Sequence, residues 1–279
     1  MSDFLWHCRG QVLNPMPRPL VMGIVNVTPD SFSDGGSFFD PAVAVEHGLR
    51  LVAEGADILD VGGESTRPGA VPVPAAEELR RVLPVVAGLA KRTAVPISID
   101  TMKAAVGERC LDAGACILND VSGFRDPAMI ELAARTAAGV VVMHMRGDPT
   151  TMQHNPEYAD VVDEVDAFFA ERIATLTAAG IDPKCVCLDP GIGFGKTLVH
   201  TRQQLAKLAV HTRRGRPVCL GVSRKGFIGQ ITGRPRAERD AGTLAVNCFA
   251  VAMRAAHVLR VHDVAMTRDA VLLWERLQQ

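Results

Sequence analysis

Asp100, Asn119 and Asp189 each stand at the end of a separate short apolar run of this 279-residue chain. Two carboxylates and an amide of that kind can read a flat heterocycle that presents ring N–H and amino donors, because such charge-assisted pairs are strong. Lys225, beyond a further apolar run, supplies the complementary donor for a ring carbonyl or nitrogen. Arg67, Arg260 and His262 form a second group, cationic or readily made so. Arg260 and His262 lie two apart on an extended run, so they face the same way. With the loop around Lys225 they compose a candidate phosphate site. Asn26 offers a neutral oxygen suited to Mg2+, which keeps waters and phosphate oxygens as its other ligands. The chemistry implied is one pocket for a polar heterocycle and a phosphate.

Such a pocket needs elements that deliver these side chains to one place. Eight short runs read as strands: 20–27, 57–62, 96–100, 117–122, 139–145, 186–191, 218–223 and 258–262. They are near-continuously apolar rather than alternating, as strands covered on both faces are. Helical patterns separate or follow them at 40–54, 75–91, 101–113, 127–137, 158–179, 201–210, 238–254 and 268–277. Gly55, Gly114, Gly139 and Gly180 stand where helix C-caps belong. Strands alternating with helices imply parallel pairing through right-handed crossovers. Eight units predict an α/β fold, a single (β/α)8 TIM barrel over 20–279, with a short N-terminal extension at 1–19 able to cover the barrel floor as a hairpin. An open doubly wound sheet is the competitor, but no G-x-G-x-x-G follows the first run.

Every run ends in hydrogen-bonding side chains. In order these are Asn26; the stretch 62–67; Asp100; Asn119 with Asp120; His144 with Arg146; Asp189 and then Lys196; Ser223, Arg224 and Lys225; and Arg260 with His262. Any one Asp or Asn there can be a mere helix cap. Eight strand ends doing so together is harder to explain by capping, since burying several charges without function is costly. In a barrel these ends share the face where active sites sit.

Composition narrows the partners. Hydrophobic residues make up 48% and charged residues 22%, enough for a large core. The net charge of -1 gives no reason to expect nucleic acid or an anionic membrane. The first residues, MSDFLWHCRGQ, lack the apolar stretch of a signal peptide, and no 18-residue apolar run is present, so a cytoplasmic protein is expected. Seven cysteines, at 8, 110, 116, 185, 187, 219 and 248, read as reduced thiols, mostly buried. Cys185 and Cys187 alternate on one expected strand and so face the same side; without a second Cys/His pair nearby, zinc is not expected. The loops 28–38 and 64–74, glycine-rich or long, are candidate lids.

The motifs make the reading specific. MGIVNVTPDSFSDGG at 22–36 and DILDVGGESTRPGA at 57–70 resemble the first two signatures of the dihydropteroate synthases. SIDT, LNDVSG, MHMRGDP, DPGIGFGKT, GVSRKGFI and RVHDV follow in that family's order, so the resemblance runs from about residue 20 to residue 275. It implies condensation of 6-hydroxymethyl-7,8-dihydropterin diphosphate with p-aminobenzoate, giving 7,8-dihydropteroate and diphosphate. By the same resemblance Asp100, Asn119, Asp189 and Lys225 bind the pterin, with Met143 beside the ring. Asn26, Arg67, Arg260 and His262 take the diphosphate, with Mg2+ at Asn26. Thr66, Pro68, Phe194 and Ser223 line the p-aminobenzoate side. Ser31, Asp34 and Arg67 belong to closing loops, Asp34 joining Asp100, Lys225, Arg260 and His262 in the catalytic set. A homodimer and sulfonamide binding are implied as well. The alternatives are a corrinoid-type pterin-dependent methyltransferase, a non-catalytic pterin-binding paralogue, or a phosphosugar aldolase or isomerase with Lys225 as its Schiff-base lysine.

Overall fold

A computed structural model describes residues 4–28, 40–66 and 69–277. The strands β1 (Trp6–Cys8) and β2 (Gln11–Leu13) pair antiparallel, Trp6 opposite Leu13. Eight parallel strands follow: β3 (Leu20–Asn26), β4 (Ile58–Gly62), β5 (Ile97–Asp100), β6 (Ile117–Asp120), β7 (Gly139–Met143), β8 (Val186–Asp189), β9 (Cys219–Leu220) and β10 (Val258–Val261). Their order is β8-β7-β6-β5-β4-β3-β10-β9. A parallel bridge between Leu188 and Val218 joins the two outer strands, and Leu188 N donates to Pro217 O at 2.9 Å. The sheet is therefore closed, and the fold is a (β/α)8 TIM barrel rather than an open doubly wound sheet.

The surrounding helices are α1 (Pro41–Ala53), α2 (Ala75–Ala90), α3 (Ala104–Asp112), α4 (Pro127–Thr136), α5 (Val161–Ala178), α6 (Leu198–Ala206), α7 (Gly226–Thr232), α8 (Asp240–Ala252) and α9 (Val264–Leu277). Side-chain caps fix several starts: Asp40 accepts from Ala42 N at 2.8 Å, and Thr197 forms a capping box with His200. The sequence placed the last helix four residues late; Asp263 accepts from Met266 N at 2.9 Å and starts it at Val264. The pattern at 201–210 divides into α6 and a 3-10 segment, Leu208–Arg214, and α7 was not foreseen. Nor is Gly139 a helix cap. Ala137 takes the left-handed conformation after α4, with φ 50°, while Gly139 opens β7 where a Cβ would strike Cys8 Sγ.

Alternation along the strands separates two apolar sets. Val21, Leu59, Ile99, Leu118, Val142 and Leu259 point outward into the layer packed under the helices. Met22, Ile58, Ile117, Val141, Cys187, Cys219 and Val258 point inward at the strands' N-terminal end. There they meet Trp6 and Cys8, both with no exposed surface, so the β1–β2 hairpin plugs the barrel floor. Trp6 Nε1 donates to Cys185 O at 2.8 Å, satisfying the one polar group of the plug's indole. Cys185 itself lies in a 3-10 turn, Pro183–Cys185, and packs with the outer layer, whereas Cys187 belongs to the floor. The expectation that both face one side fails because strand geometry begins only at Val186. All seven cysteines are free thiols, and Cys248 is the exposed one. Among the described residues, no helix is long and apolar enough to cross a membrane.

Candidate active site

One pleat further along the strands, the inward series turns polar. Ile58 gives way to Asp60, Ile117 to Asn119, Cys187 to Asp189 and Val258 to Arg260. Asp60 is fully buried, while Asn119, Asp189 and Arg260 line a cavity of about 1100 Å³ at the strands' C-terminal ends. The structure brings the expected heterocycle readers to its wall: Asp100, Asn119, Met143, Asp189 and Lys225. Asn26, Arg260 and His262 line the same cavity, as do Thr66, Phe194 and Ser223. Ser31, Asp34, Arg67 and Pro68 lie outside the described residues.

The centre of the cavity is an ionic cluster. Arg260 Nε donates to Asp60 Oδ2 at 2.6 Å and Arg260 Nη2 to Asp100 Oδ2 at 2.7 Å. Asn119 Nδ2 donates to both Asp60 oxygens, at 3.3 and 3.2 Å. With that amide committed to Asp60, Asn119 has its carbonyl oxygen to offer a ligand. Burial pushes the Asp100 carboxyl above the usual carboxylate range; Arg260 opposes this and Asp60 reinforces it. Two carboxylates share one guanidinium here, so Arg260 is not the free cation that the sequence implied. Asp60 escaped the sequence reading, which looked only at strand ends. Its signal was a charge between Leu59 and Val61, mid-strand and on the inward parity.

Asp189 and Lys225 form a second polar pair of influences. Burial raises the Asp189 pKa, and Lys225 pulls it back. Burial lowers Lys225 to about 8 against the pull of Asp189. Asp189 Oδ1 accepts from Gly191 N at 2.7 Å, and Lys225 Nζ donates to Ile192 O while lying 4.5 Å from the Phe194 ring centroid. Of the group expected to be cationic or readily made so, His262 is the uncharged member. Its backbone N–H donates to Ser223 Oγ at 3.1 Å, and its ring Nδ1 lies 2.8 Å from that hydroxyl. Burial, with Arg224 and Arg260 adding, pushes the imidazole down to about 3, so it is neutral at pH 7.

Some strand-end polar residues are held by other partners, although Arg224 and Lys196 among them still line the cavity. Asp120 turns outward and accepts from Ser122 N at 2.7 Å and Phe124 N at 2.9 Å, shaping its loop. Arg146 pairs with Glu164 at 2.6 Å and stacks 4.1 Å above the Tyr158 ring. Arg224 makes a two-pronged pair with Asp240, both contacts 2.7 Å. His144 is buried beneath the loop after β8, against Lys196, a second residue whose importance the sequence reading passed over.

Among the described residues, no group of three or more His, Cys, Asp or Glu side chains stands ready to hold a metal. Asn26 lies half-buried on the cavity wall at the end of β3 and brings one amide oxygen. That donor fits Mg2+ arriving with a diphosphate, since the ion favours phosphate oxygens and waters over an all-protein cage.

Comparison with known proteins names the family. A model described as a pterin binding enzyme matches residues 22–262. The dihydropteroate synthase of Escherichia coli K12 is 47% identical over 260 residues, covering 93% of this chain and 92% of that one. The chain belongs to the dihydropteroate synthase family. The dihydropteroate synthase of Neisseria meningitidis serogroup C is 46% identical and covers 99% of both chains. A solved dihydropteroate synthase from Xanthomonas albilineans with 4-aminobenzoic acid matches with a TM-score of 0.93 and 49% identity over 99% of both chains. Another from that organism, in complex with 7,8-dihydropteroate, matches with a TM-score of 0.89 and 46% identity over 98% of both. The dihydropteroate synthase motifs at 98–101, 118–123, 143–149, 189–197 and 221–228 lie inside the matched span, and each delivers a cavity residue: Asp100, Asn119, Met143, Asp189 and Ser223.

Proposed function

We propose that this chain condenses 6-hydroxymethyl-7,8-dihydropterin diphosphate with p-aminobenzoate to form 7,8-dihydropteroate and diphosphate. The observation that carries the reading is the meeting of Asp100, Asn119, Asp189 and Lys225 with Asn26, Arg260 and His262 in one cavity. Asp189 and the Asn119 carbonyl accept from the pterin's amino and ring N–H groups, and Lys225 donates to its carbonyl edge. Met143 packs beside the ring.

The reaction breaks the C–O bond to diphosphate, and the bonding pair leaves with that group. The remaining methylene is a cation conjugated with the pterin, and Asp100 faces it with negative charge. The arylamine of p-aminobenzoate is a weak base, uncharged at pH 7, so its nitrogen attacks without a strong general base and afterwards gives its proton to the released diphosphate or to water. Diphosphate beside neutral His262 raises that imidazole toward protonation, adding a cation where charge accumulates. Asn26 would hold Mg2+ carried in with the diphosphate, and the ion would supply Lewis-acid neutralisation of the leaving group. Thr66, Pro68, Phe194 and Ser223 receive p-aminobenzoate, and Ser31, Asp34 and Arg67 close over the substrates. The proposal includes a cytoplasmic homodimer open to sulfonamides, with residues 1–19 an extension and 20–279 the catalytic barrel.

The test is a direct assay with pterin diphosphate, p-aminobenzoate and Mg2+. Dihydropteroate and diphosphate should appear in equal amounts. Pterin binding without diphosphate release would identify a binding paralogue or a methyltransferase-like relative instead.

A further inference from the structure

Lys196 is 4% exposed, and its ammonium sits at the centre of the loop that follows β8. It donates to Gly191 O at 3.0 Å and to Phe194 O at 3.1 Å. It also lies 2.9 Å from His144 Nδ1, and burial keeps that imidazole neutral and able to accept. A lysine so placed closes the turn into a ring around one amino group.

The turn depends on such donors. Gly191, Gly193 and Gly195 all have positive φ, of 61°, 83° and 58°, so carbonyls point to both sides of the chain. Each carbonyl from 191 to 195 is held by a side chain. Lys196 takes Gly191 and Phe194, Lys225 takes Ile192, Gln153 takes Gly193 at 2.8 Å and Tyr158 takes Gly195 at 2.8 Å. The inner donors fix what the cavity sees. The same turn carries the Gly191 N–H on Asp189, the carbonyl on Lys225 and the Phe194 ring beneath Lys225.

We infer that Lys196 is a positioning residue: its caged amino group holds the Phe194 carbonyl, sets the place of the Phe194 ring, and so shapes the arylamine side of the cavity. The inference rests on the proposed function. Burying a lysine is unfavourable, and here burial and the nearby Lys225 lower its pKa to about 7. A merely space-filling residue would not need an amino group with partners on His144, Gly191 and Phe194. Asp100 and Asn119, on β5 and β6, are held instead by Arg260 and Asp60, so the far side of the pterin site has supports of its own.

Lys196→Met keeps the length and removes the amino group. The KM for p-aminobenzoate should rise at least tenfold, with kcat within about threefold of wild type and the Kd of the free pterin changed less than threefold. His144→Leu removes one cage partner and should raise the same KM by a smaller factor. In the double variant it should add nothing to Lys196→Met, because the cage is already gone. An unchanged KM for p-aminobenzoate in Lys196→Met, with only a lower Tm, overturns the inference, as does a collapse of kcat at constant KM. If Lys196→Met does not fold, an unchanged KM in His144→Leu overturns it alone. Wild-type protein in the same assay keeps the two questions apart: no turnover by wild type defeats the proposed function, whereas turnover with unmoved variants defeats only the role of Lys196.

Discussion

The floor and the mouth of this barrel are built from the same strands and the same inward-facing parity, yet they share almost no chemistry. At the floor, Met22, Ile58, Ile117, Val141 and Val258 meet Trp6 and form a sealed apolar plug. One pleat away, Asp60, Asn119, Asp189 and Arg260 occupy the continuation of those rows. The lesson is that two residues along a strand separate the part that holds the barrel shut from the part that works. Burial of charge is tolerated at the mouth because each charge faces another or a ligand; at the floor nothing would answer it.

The sharpest way to break this division is to damage each end by itself. Trp6→Ala removes the plug's largest side chain and should destabilise the fold by about 3–5 kcal/mol. Both KM values should stay within about twofold, as read from denaturant unfolding beside steady-state rates. A tenfold change in either KM would show that floor and mouth are coupled. The converse change is Asp100→Asn. Its kcat should fall about a hundredfold, or ~2.7 kcal/mol of barrier, with little loss of stability, because Arg260 retains Asp60 and one buried charge disappears. Unchanged turnover would remove Asp100 from the chemistry.

A gentler test bears on the floor alone. At Gly139 an added Cβ would strike Cys8 Sγ and crowd Ile117. Gly139→Ala should therefore cost about 1–3 kcal/mol through overpacking. Adding Cys8→Ala should recover part of that loss. Equal losses in the single and double variants would mean that the contact is not what excludes a side chain there.

How much of this could be read from the sequence differs between the two ends. The eight strands were readable because both faces are buried, and their runs stay apolar from end to end. The polar strand ends were readable because each interrupts such a run. Asp60 was not, because it sits inside a strand, where only closure of the barrel shows that its parity points at Arg260. The sequence reading takes Asn119 as the reader and leaves Asp120 among the strand-end polar residues, without a physical reason to separate them. They are adjacent in the chain, but one faces the cavity and the other ties a loop. The floor plug was foreseen only as a hairpin; that Trp6 fills it follows from a bond to Cys185, far along the chain. Gly139 shows the limit of local rules, since a glycine after a helix reads as a cap until Ala137 is seen to take that conformation.

The smallest effect concerns how the mouth carries charge. Lys225 is lowered to about 8 by burial, held up by Asp189 and pushed down further by Arg260, against an ordinary value of 10.5. It is therefore charged below about pH 8 and loses its charge as the pH rises through that value. Since kcat/KM reports the free enzyme's ionisations, its value for the pterin diphosphate should fall above about pH 8, more than two units before an ordinary lysine would act. Lys225→Arg stays charged throughout this range, so the decline should vanish even if overall activity is lower. Trp6→Ala should keep the decline in place, because besides burial the groups acting on Lys225 are Asp189, Arg260 and Cys219, and Trp6 carries no charge. If the decline survives in Lys225→Arg, the titrating group is another one, and Lys196, lowered to about 7 in the adjoining turn, is the cation to replace next. The outcome thus decides whether a single lysine or the two together set the charge that meets the pterin.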